Sequence, residues 1–350
     1  MTKEARTRAG ASGRHAPARD AEVGLSIVVP VFNEAGSLVA LHERIAEVAR
    51  RLREARGLKC EVVYVDDGSR DATLQIARDL PATSLDLQVV SLSRNFGKEA
   101  ALLAGLDHAR LGAVLFMDGD GQHPPSLIET LVSHWLDGGY DVTYTAKLDR
   151  QNESWLMRSG VKLFYRTLNW GARHKIPADA GDFRLLSPRA SAALRQLPER
   201  NRFFKGLASW IGFRQIRVDY KPEERTHGRT TWNIFGLIGL SIEGLTSFSV
   251  APLRLASLLG LLLAGSALVF GAIILFEVLF YGVAVPGYPS LVVGLMVLGG
   301  VQLLMIGVLG EYVGKILSEL KARPVYFVAE HSIKMADSSG QGMAARTAAE

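Results

Sequence analysis

The chain has one cysteine, Cys60, among its 350 residues. A single cysteine excludes an intramolecular disulfide and a cysteine metal cluster. Because Cys60 directly precedes a predicted strand, we expect it to be a small buried hydrophobic residue.

The sequence also lacks two common nucleotide-binding fingerprints. No Gly-x-Gly-x-x-Gly follows the first predicted strand, and Gly97-Lys98 has neither the upstream Gly of a P-loop nor the following Ser or Thr. Any nucleotide that the protein binds must therefore be held in another way.

Charge is scarce in two long apolar runs near the C-terminus. The run 255–280 contains one charged residue, Glu277, and the run 291–309 contains none. Each can cross a hydrocarbon core, which needs about 20 apolar residues. Glu277 lies near the end of its run, where a side chain can reach the interface. We therefore predict a transmembrane hairpin within residues 251–317, with spans at 255–280 and 291–310. Buried core helices of a soluble protein are the weaker alternative.

Basic residues flank this hairpin on one side. Arg254 precedes the first run, and Lys315, Lys321 and Arg323 follow the second. Positively charged flanks remain in the cytoplasm. The sequence thus predicts a multi-pass protein of the inner membrane with a cytoplasmic N-terminal domain. A homo-oligomer is also expected, because lone hairpins often associate.

The remaining segments are interpreted from composition. Residues 1–24 are rich in Ala, Arg and Gly without an apolar core, and are expected to form a disordered basic arm. Residues 231–250 are too polar to span a membrane and too apolar for water, which indicates an interfacial helix or one packed on the N-terminal domain. Residues 318–350 are expected to be a cytoplasmic segment that is disordered after Glu330. The net charge of +5 suits an anionic leaflet, and no nucleic-acid partner is expected because no such motif is present.

Short β-branched runs alternate with helical stretches from residue 25 to about residue 144. Strands are predicted at 26–31, 61–65, 87–92 and 113–117, and helices at 37–55, 71–80 and 97–109. This alternation is typical of an α/β domain with a mostly parallel sheet. Polar clusters follow the strands, at the edge where open α/β sheets bind ligands.

Two acids end the fourth predicted strand. Val114 to Met117 is an apolar run that stops at Asp118 and Asp120, which are separated only by Gly119. Two such close carboxylates repel each other, so a divalent cation with a phosphate behind it is a frequent reason to place them there. A solvated turn is the alternative, because Asp and Gly are common turn residues.

Four motifs in order resemble family 2 glycosyltransferases of the GT-A fold. They are Ile27-Val-Val-Pro-Val-Phe-Asn-Glu34, Val65-Asp-Asp-Gly-Ser69, Ser93-Arg-Asn-Phe-Gly-Lys98 and Met117-Asp-Gly-Asp-Gly-Gln-His-Pro-Pro125. Ala180-Gly-Asp-Phe-Arg-Leu185, the basic segments 202–206 and 225–229, and the apolar hairpin narrow the resemblance to polyprenyl-phosphate glycosyltransferases. It extends over roughly residues 25–328, with 25–230 as the GT-A domain.

The resemblance implies a donor site for a nucleotide sugar, with UDP-glucose as the first expectation. Asp118 and Asp120 would hold Mg²⁺ or Mn²⁺ against the donor diphosphate. Asp67 has an alternative as a helix cap or turn residue. The other implied donor-binding residues are Pro30, Phe32, Glu34, Val65, Asp66, Lys98, Gly119 and Gln122.

The acceptor implied by the resemblance is a polyprenyl phosphate such as undecaprenyl phosphate. Its phosphate, with a second pKa of about 6, is largely ionised at neutral pH and needs steering more than a base. The cations implied for this task are Arg202, Lys205, Arg225 and Arg229, of which some would only contact lipid headgroups. Asp182 would be catalytic, as a base or as a residue that orients substrate; an ion pair with Arg184 is the alternative.

The sequence departs from the resemblance at two positions. Relatives often carry a third acid where His123 stands and a bulkier residue at Gly121, which leaves the metal preference open.

Two other functions remain. A processive polysaccharide synthase would need more than two spans and a Gln-x-x-Arg-Trp motif, which is absent. A catalytically inactive membrane scaffold would have no need of Asp118, Asp120 and Asp182.

Overall fold

The computed structural model describes residues 22–147, 181–199, 204–221, 251–281 and 287–336. Its strands are β1 Glu22–Val31, β2 Lys59–Asp66, β3 Asp86–Leu92, β4 Leu111–Phe116, β5 Val142–Lys147, β6 Arg184–Leu186, β7 Gln215–Tyr220 and β8 Val328–Lys334. Its helices are α1 Leu38–Arg56, α2 Thr73–Asp79, α3 Lys98–His108, α4 Leu127–Leu136, α5 Pro188–Arg195, α6 Phe204–Trp210, α7 Ala251–Tyr281 and α8 Tyr288–Leu320.

The described strands form one sheet in the order β7-β5-β6-β4-β1-β2-β3-β8. The central strands β4, β1, β2 and β3 are parallel, whereas β6 and β8 run antiparallel to their neighbours. The predicted α/β domain with a mostly parallel sheet is confirmed. Each predicted strand and helix of this region appears within a few residues of its expected bounds.

Helices cover both faces of the sheet. Along β1, Ile27 and Val29 face a core shared with α1, α2 and α4, whereas Val28 faces a core shared with α3, α5 and α6. A strand that is buried on both faces has a nearly continuous apolar sequence, and for this reason these strands could be predicted from the sequence. Cys60 is buried in β2, as predicted.

Helix α3 lies unusually close to the sheet. A Cβ added to Gly105 would come within 2.1 Å of Cγ1 of Val28, so only glycine permits this approach. The close contact fixes α3 against β1, and its N-terminal residue Lys98 therefore lies at the carboxyl edge of the parallel strands.

The C-terminal segment corrects one expectation. Residues after Glu330 were expected to be disordered, but β8 pairs antiparallel with β3. The Tyr326 hydroxyl donates to Asp107 Oδ2 at 2.8 Å, and the N–H of Ala336 donates to Asp86 Oδ1 at 2.8 Å. The polar sequence of β8 concealed a strand at the edge of the sheet, where one face and one side meet solvent.

The predicted domain bounds shift at both ends. Strand β1 begins at Glu22, within the expected N-terminal arm, and α8 continues to Leu320, beyond the expected end of the hairpin at residue 317. In the described part of the chain, one segment, Val297–Leu320, is long and apolar enough to cross a membrane by length and composition. The predicted interfacial helix at 231–250 lies outside the described residues.

Candidate active site

The loops that follow β1, β2 and β4 are joined by hydrogen bonds at the carboxyl edge of the sheet. Asn33, in the left-handed region with φ of 57°, accepts the N–H of Arg70 at 2.9 Å. The N–H of Glu34 donates to Thr73 Oγ1 at 2.8 Å, and Ser37 Oγ lies 3.2 Å from the carbonyl oxygen of Gly119. The sheet thus brings the predicted donor-site loops together.

The two aspartates at the end of β2, Asp66 and Asp67, hold neighbouring segments by hydrogen bonds. Asp66 is buried and accepts the N–H of Ser69 at 3.2 Å. Asp67 accepts the N–H groups of Phe96 and Gly97 at 2.7 and 2.9 Å, one on each oxygen. Burial raises the pKa of Asp67, and these two hydrogen bonds act against it. Asp67 therefore holds the loop immediately before Lys98.

The loop after β4 carries Asp118 and Asp120 in a constrained arrangement. A Cβ on Gly119 would lie 2.9 Å from Val31 Cγ1 and 3.1 Å from the carbonyl oxygen of Pro30. The carboxylate of Asp120 accepts the N–H of Gln122 at 3.1 Å. Glycine at position 119 lets the loop lie against β1, which fixes where both acids stand.

His123 is buried next to this loop and accepts a hydrogen bond from it. It is 5% exposed, stacks on Phe183 with ring centroids 5.0 Å apart, and meets the ring of Tyr220 edge to face at 5.9 Å. Its Nδ1 lies 3.1 Å from the N–H of Asp118 and accepts from it, which requires an unprotonated Nδ1. Burial lowers the pKa of His123 and so favours this neutral form. His123 thus orients Asp118 through its backbone.

Lys98 joins two of the predicted acids. Its Nζ lies 2.6 Å from Asp118 Oδ1 and 2.7 Å from Asp182 Oδ2. Lys205, from α6, places its Nζ 3.2 Å from the other oxygen of Asp182. The side chains of these four residues are between 23% and 42% exposed, so the cluster is open to a ligand on one side.

The electrostatic interactions within this cluster favour the charged forms of Lys98 and Asp182. Desolvation opposes the ammonium of Lys98, but Asp182 and Asp118 outweigh it and raise the pKa of Lys98. Burial likewise opposes the carboxylate of Asp182, but Lys98 and Lys205 outweigh it and hold the pKa of Asp182 well below its usual range. Asp182 therefore remains ionised at neutral pH.

The backbone around Asp182 is also held closely. The N–H of Gly181 donates to the carbonyl oxygen of Thr145 at 2.7 Å, and a Cβ at position 181 would lie 2.8 Å from that oxygen. Arg184 is buried and donates to the carbonyl oxygen of Gly181 at 2.7 Å. Arg184 thus shapes the turn that presents Asp182.

Two residues near the cluster were not singled out in the sequence. Glu99 accepts the N–H of Phe204 at 3.1 Å, and burial raises the pKa of Glu99 to about 7. Tyr220, at the end of β7, is buried; desolvation and then the charges of Asp118 and Asp120 raise the pKa of its hydroxyl. In the sequence, Glu99 is an ordinary acidic residue in the first turn of a predicted helix. The location of Tyr220 depends on the pairing of strands that are distant in the sequence.

The other predicted residues divide into three groups. Phe32 is 42% exposed in the loop directly after β1, where it is accessible to a ligand. The side chain of Val65 is buried in the core, so only its backbone can line a pocket. The expected acceptor cations Arg202, Arg225 and Arg229 lie outside the described residues.

Asp118 and Asp120 have the donor chemistry for a hard divalent cation. Among the described residues, no set of three or more His, Cys, Asp or Glu side chains is placed to hold a metal ion. Mg²⁺ commonly uses one or two protein carboxylates and completes its shell with substrate phosphates and water. The ammonium of Lys98 on Asp118 marks this carboxylate as a cation-binding position. The two aspartates therefore fit a metal that is bound together with a diphosphate.

Residues 26–194 match the family described as Glycosyl transferase family 2. An uncharacterized glycosyltransferase of Synechocystis is 42% identical over 88% of this chain and 95% of its own length. A prophage bactoprenol glucosyl transferase homolog of Escherichia coli is 40% identical over 87% of this chain and 98% of its own length. The bactoprenol glucosyl transferase of Shigella phage SfII is 40% identical over 87% of this chain and 97% of its own length.

Proposed function

The chain belongs to glycosyltransferase family 2, and on that basis we propose that it transfers a sugar from a nucleotide sugar to a polyprenyl phosphate at the cytoplasmic face of a membrane. The observation that carries the proposal is the cluster in which Lys98 joins Asp118 to Asp182 at the carboxyl edge of the sheet. A site with both acids and ammonium groups suits a reaction between two phosphate-bearing substrates, because each anion needs a cation beside it.

The proposed donor is UDP-glucose. Relatives that are named bactoprenol glucosyl transferases support glucose as the sugar and a polyprenyl phosphate such as undecaprenyl phosphate as the acceptor. Phe32 and Glu34 lie in the loop after β1, beside the loop that follows Asp66 and Asp67, and would receive the nucleoside. Asp67 would contribute by holding the loop before Lys98, since both of its oxygens already accept backbone N–H groups.

Asp118 and Asp120 would hold Mg²⁺ or Mn²⁺, which when bound acts as a Lewis acid and offsets charge on the departing nucleoside diphosphate. The chain supplies the geometry for this. Gly119 permits the close approach of the loop to β1, and His123 fixes the backbone of Asp118. Gln122 stands next to the pair and donates its backbone N–H to Asp120.

The proposed reaction is a single displacement. A phosphate oxygen of the lipid forms a bond to the anomeric carbon while the bond from that carbon to the donor's diphosphate oxygen breaks, and the nucleoside diphosphate leaves with the electron pair. The configuration at the anomeric carbon inverts, so an α-linked donor yields a β-linked lipid phosphosugar. The lipid phosphate is already ionised near neutral pH, so its oxygen needs no base.

Asp182 is proposed to orient cations rather than to accept a proton. Both of its oxygens are paired with ammonium groups, and Lys98 and Lys205 outweigh burial to lower its pKa. A carboxylate in this state is a weak base. It would hold Lys98 and Lys205 where the anionic acceptor approaches the donor.

The exposed apolar surfaces of α7 and α8 support a membrane location. On α7, Leu261, Phe270 and Leu279 are exposed, and on α8, Leu291, Leu303 and Leu320 are exposed. Contiguous apolar surface of this extent is typical of membrane or protein contact. We propose that both helices cross the membrane as a hairpin, that the catalytic domain lies in the cytoplasm, and that copies of the chain associate.

A lipid-transfer assay tests this function. Purified protein would be incubated with polyprenyl phosphate, Mg²⁺ or Mn²⁺ and a panel of radiolabelled UDP- and GDP-sugars, and label would be counted in the lipid extract. We expect lipid-extractable label, highest with UDP-glucose. Absence of label with every donor would overturn the proposal. Asp120→Ala separates an enzyme from a scaffold, because we expect it to lose turnover while lipid binding persists.

A further inference from the structure

The ammonium of Lys98 lies against Asp118, which is a proposed metal ligand. Its Nζ lies 2.6 Å from Asp118 Oδ1, which is direct charge-assisted contact. A divalent ion on Asp118 would stand a few ångströms from this ammonium and would be repelled by it. In the absence of the donor, Lys98 and a metal ion therefore compete for the negative charge of Asp118.

A donor diphosphate changes this balance. It brings new negative charge to the same place, so the ammonium and a metal ion no longer depend on one carboxylate. Lys98 keeps a partner in Asp182, whose Oδ2 lies 2.7 Å from the same Nζ. The metal and the nucleotide should then favour each other's binding, and by linkage the effect must be equal in both directions.

The backbone at Lys98 is held independently of the side chain. Asp67 fixes the N–H groups of Phe96 and Gly97, and Gly97, with φ of 95°, directly precedes the first residue of α3. The contact between Gly105 and Val28 anchors the same helix to the sheet. Exchange of partners at Lys98 is therefore a motion of its flexible side chain alone, which requires no rearrangement of the fold.

We propose that Lys98 is the internal counter-cation of Asp118, and that metal and nucleotide displace it from this carboxylate together, so that the metal binds tightly only when the nucleotide is present. This inference rests on the proposed metal site at Asp118 and Asp120. It makes Lys98 a positioning residue that sets the order of loading. A site loaded in this way does not retain a metal ion without its donor.

Mn²⁺ binding to the full-length protein, followed by electron paramagnetic resonance, tests the proposal without turnover. Lys98→Met would be compared with the wild type, with and without UDP. We expect Lys98→Met to bind Mn²⁺ roughly tenfold more tightly than the wild type when UDP is absent, and the enhancement of Mn²⁺ affinity by UDP to be smaller in the variant. Lys205→Met is the matched control, because Lys205 contacts Asp182 and is not paired with Asp118; its effect should be clearly smaller.

The outcomes separate this inference from the proposed function. If the wild type binds Mn²⁺ with UDP but Lys98→Met has the wild-type affinity without UDP, the counter-cation role is wrong and the metal site stands. If no Mn²⁺ binds even with UDP, the metal site itself is wrong. Should Lys98→Met fail to fold, Lys98→Gln provides the same comparison. In the wild type alone, equal Mn²⁺ affinity with and without UDP would also contradict the proposal.

Discussion

Glu99 accepts a hydrogen bond from the backbone N–H of Phe204 at 3.1 Å. Glu99 follows Lys98 in the first turn of α3, and Phe204 is the first residue of α6, which carries Lys205. This one bond therefore ties together the two helices whose lysines bracket Asp182. The two residues that it joins are 105 positions apart in the sequence.

Glu99 should make the stability of the protein depend on pH. Burial raises its pKa to about 7 in the folded state from 4.5. The folded protein then binds more protons than the unfolded chain between these values, so the stability falls as pH rises from about 4.5 to about 7. The full effect is at most on the order of 3 kcal/mol. Glu99→Gln keeps an oxygen for the Phe204 N–H and removes this titration.

Thermal unfolding at pH 5 and pH 8 measures the effect. We expect the midpoint of the wild type to fall more between these values than that of Glu99→Gln. Glu47→Gln is the control, because Glu47 lies on the exposed face of α1. Parallel pH dependence in all three proteins would contradict the assignment.

Loss of the Lys205 ammonium should weaken use of the lipid acceptor. Lys205→Met removes a cation 3.2 Å from Asp182 while it keeps the apolar stem. We expect KM for polyprenyl phosphate to rise roughly tenfold or more, as for loss of one charged hydrogen bond, with less change in KM for the donor. Steady-state kinetics with each substrate varied in turn measures this.

Lys59→Met serves as the control for this kinetic test. Lys59 is the first residue of β2, so it lies at the amino ends of the parallel strands, and the candidate site lies at their carboxyl ends. Its kinetics should match the wild type. An equal rise of both KM values in Lys205→Met would argue against a specific role of Lys205 at the acceptor.

A methyl group at position 119 should displace the acidic loop. In Gly119→Ala the Cβ would meet Val31 Cγ1 at 2.9 Å and the Pro30 carbonyl oxygen at 3.1 Å. Overpacking of this kind costs about 1 to 3 kcal/mol, and the strain falls on the segment that carries Asp118 and Asp120. We expect turnover to drop by more than tenfold with a modest fall in thermal stability.

Gly265→Ala is the matched control for the loop substitution, because a Cβ at position 265 in α7 meets nothing within 4 Å. It should retain activity. Wild-type turnover in Gly119→Ala would show that the loop position does not matter for the reaction.

The edge strand β8 should stabilise the catalytic domain and its Lys98 loop. The ring of Phe327 lies 6.3 Å from that of Phe96, and the N–H of Ser93 donates to the carbonyl oxygen of Phe327 at 2.9 Å. Deletion of residues 327–336 would expose the edge of β3, which favours aggregation. We expect a lower unfolding midpoint, more aggregation on heating and reduced turnover.

Glu330→Gln is the control for this deletion. It distinguishes the effect of the strand pairing on the unfolding midpoint from the effect of losing a surface charge. Glu330 forms an ion pair with Arg78 on the surface, and such pairs contribute about 0 to 1 kcal/mol. Its midpoint should stay close to the wild type. If the deletion behaves like Glu330→Gln, the strand has no role in stability.

The sequence predicts the centre of the fold well, because β1 to β4 are short runs rich in apolar and β-branched residues, and α1 has apolar residues at helical spacing. Asp118, Asp120 and Lys98 were also predicted as site residues, because motifs that follow strands carry them, and their roles stay predictions. The pairing of Lys98 with Asp182 was not predicted, since it joins residues 84 positions apart. Strand β8 was missed for a related reason: its pairing with β3 is set by the edge it covers rather than by its own composition.

The central claim is that the cluster of Lys98, Asp118 and Asp182 brings a nucleotide sugar to a lipid phosphate. The most direct test is mass spectrometry of the lipid extract after incubation of the protein with UDP-glucose, polyprenyl phosphate and Mg²⁺ or Mn²⁺. We predict a lipid product heavier by one hexosyl unit, present with the wild type and strongly reduced with Asp182→Ala. An unchanged lipid with the wild type, or equal product with both proteins, would contradict the account.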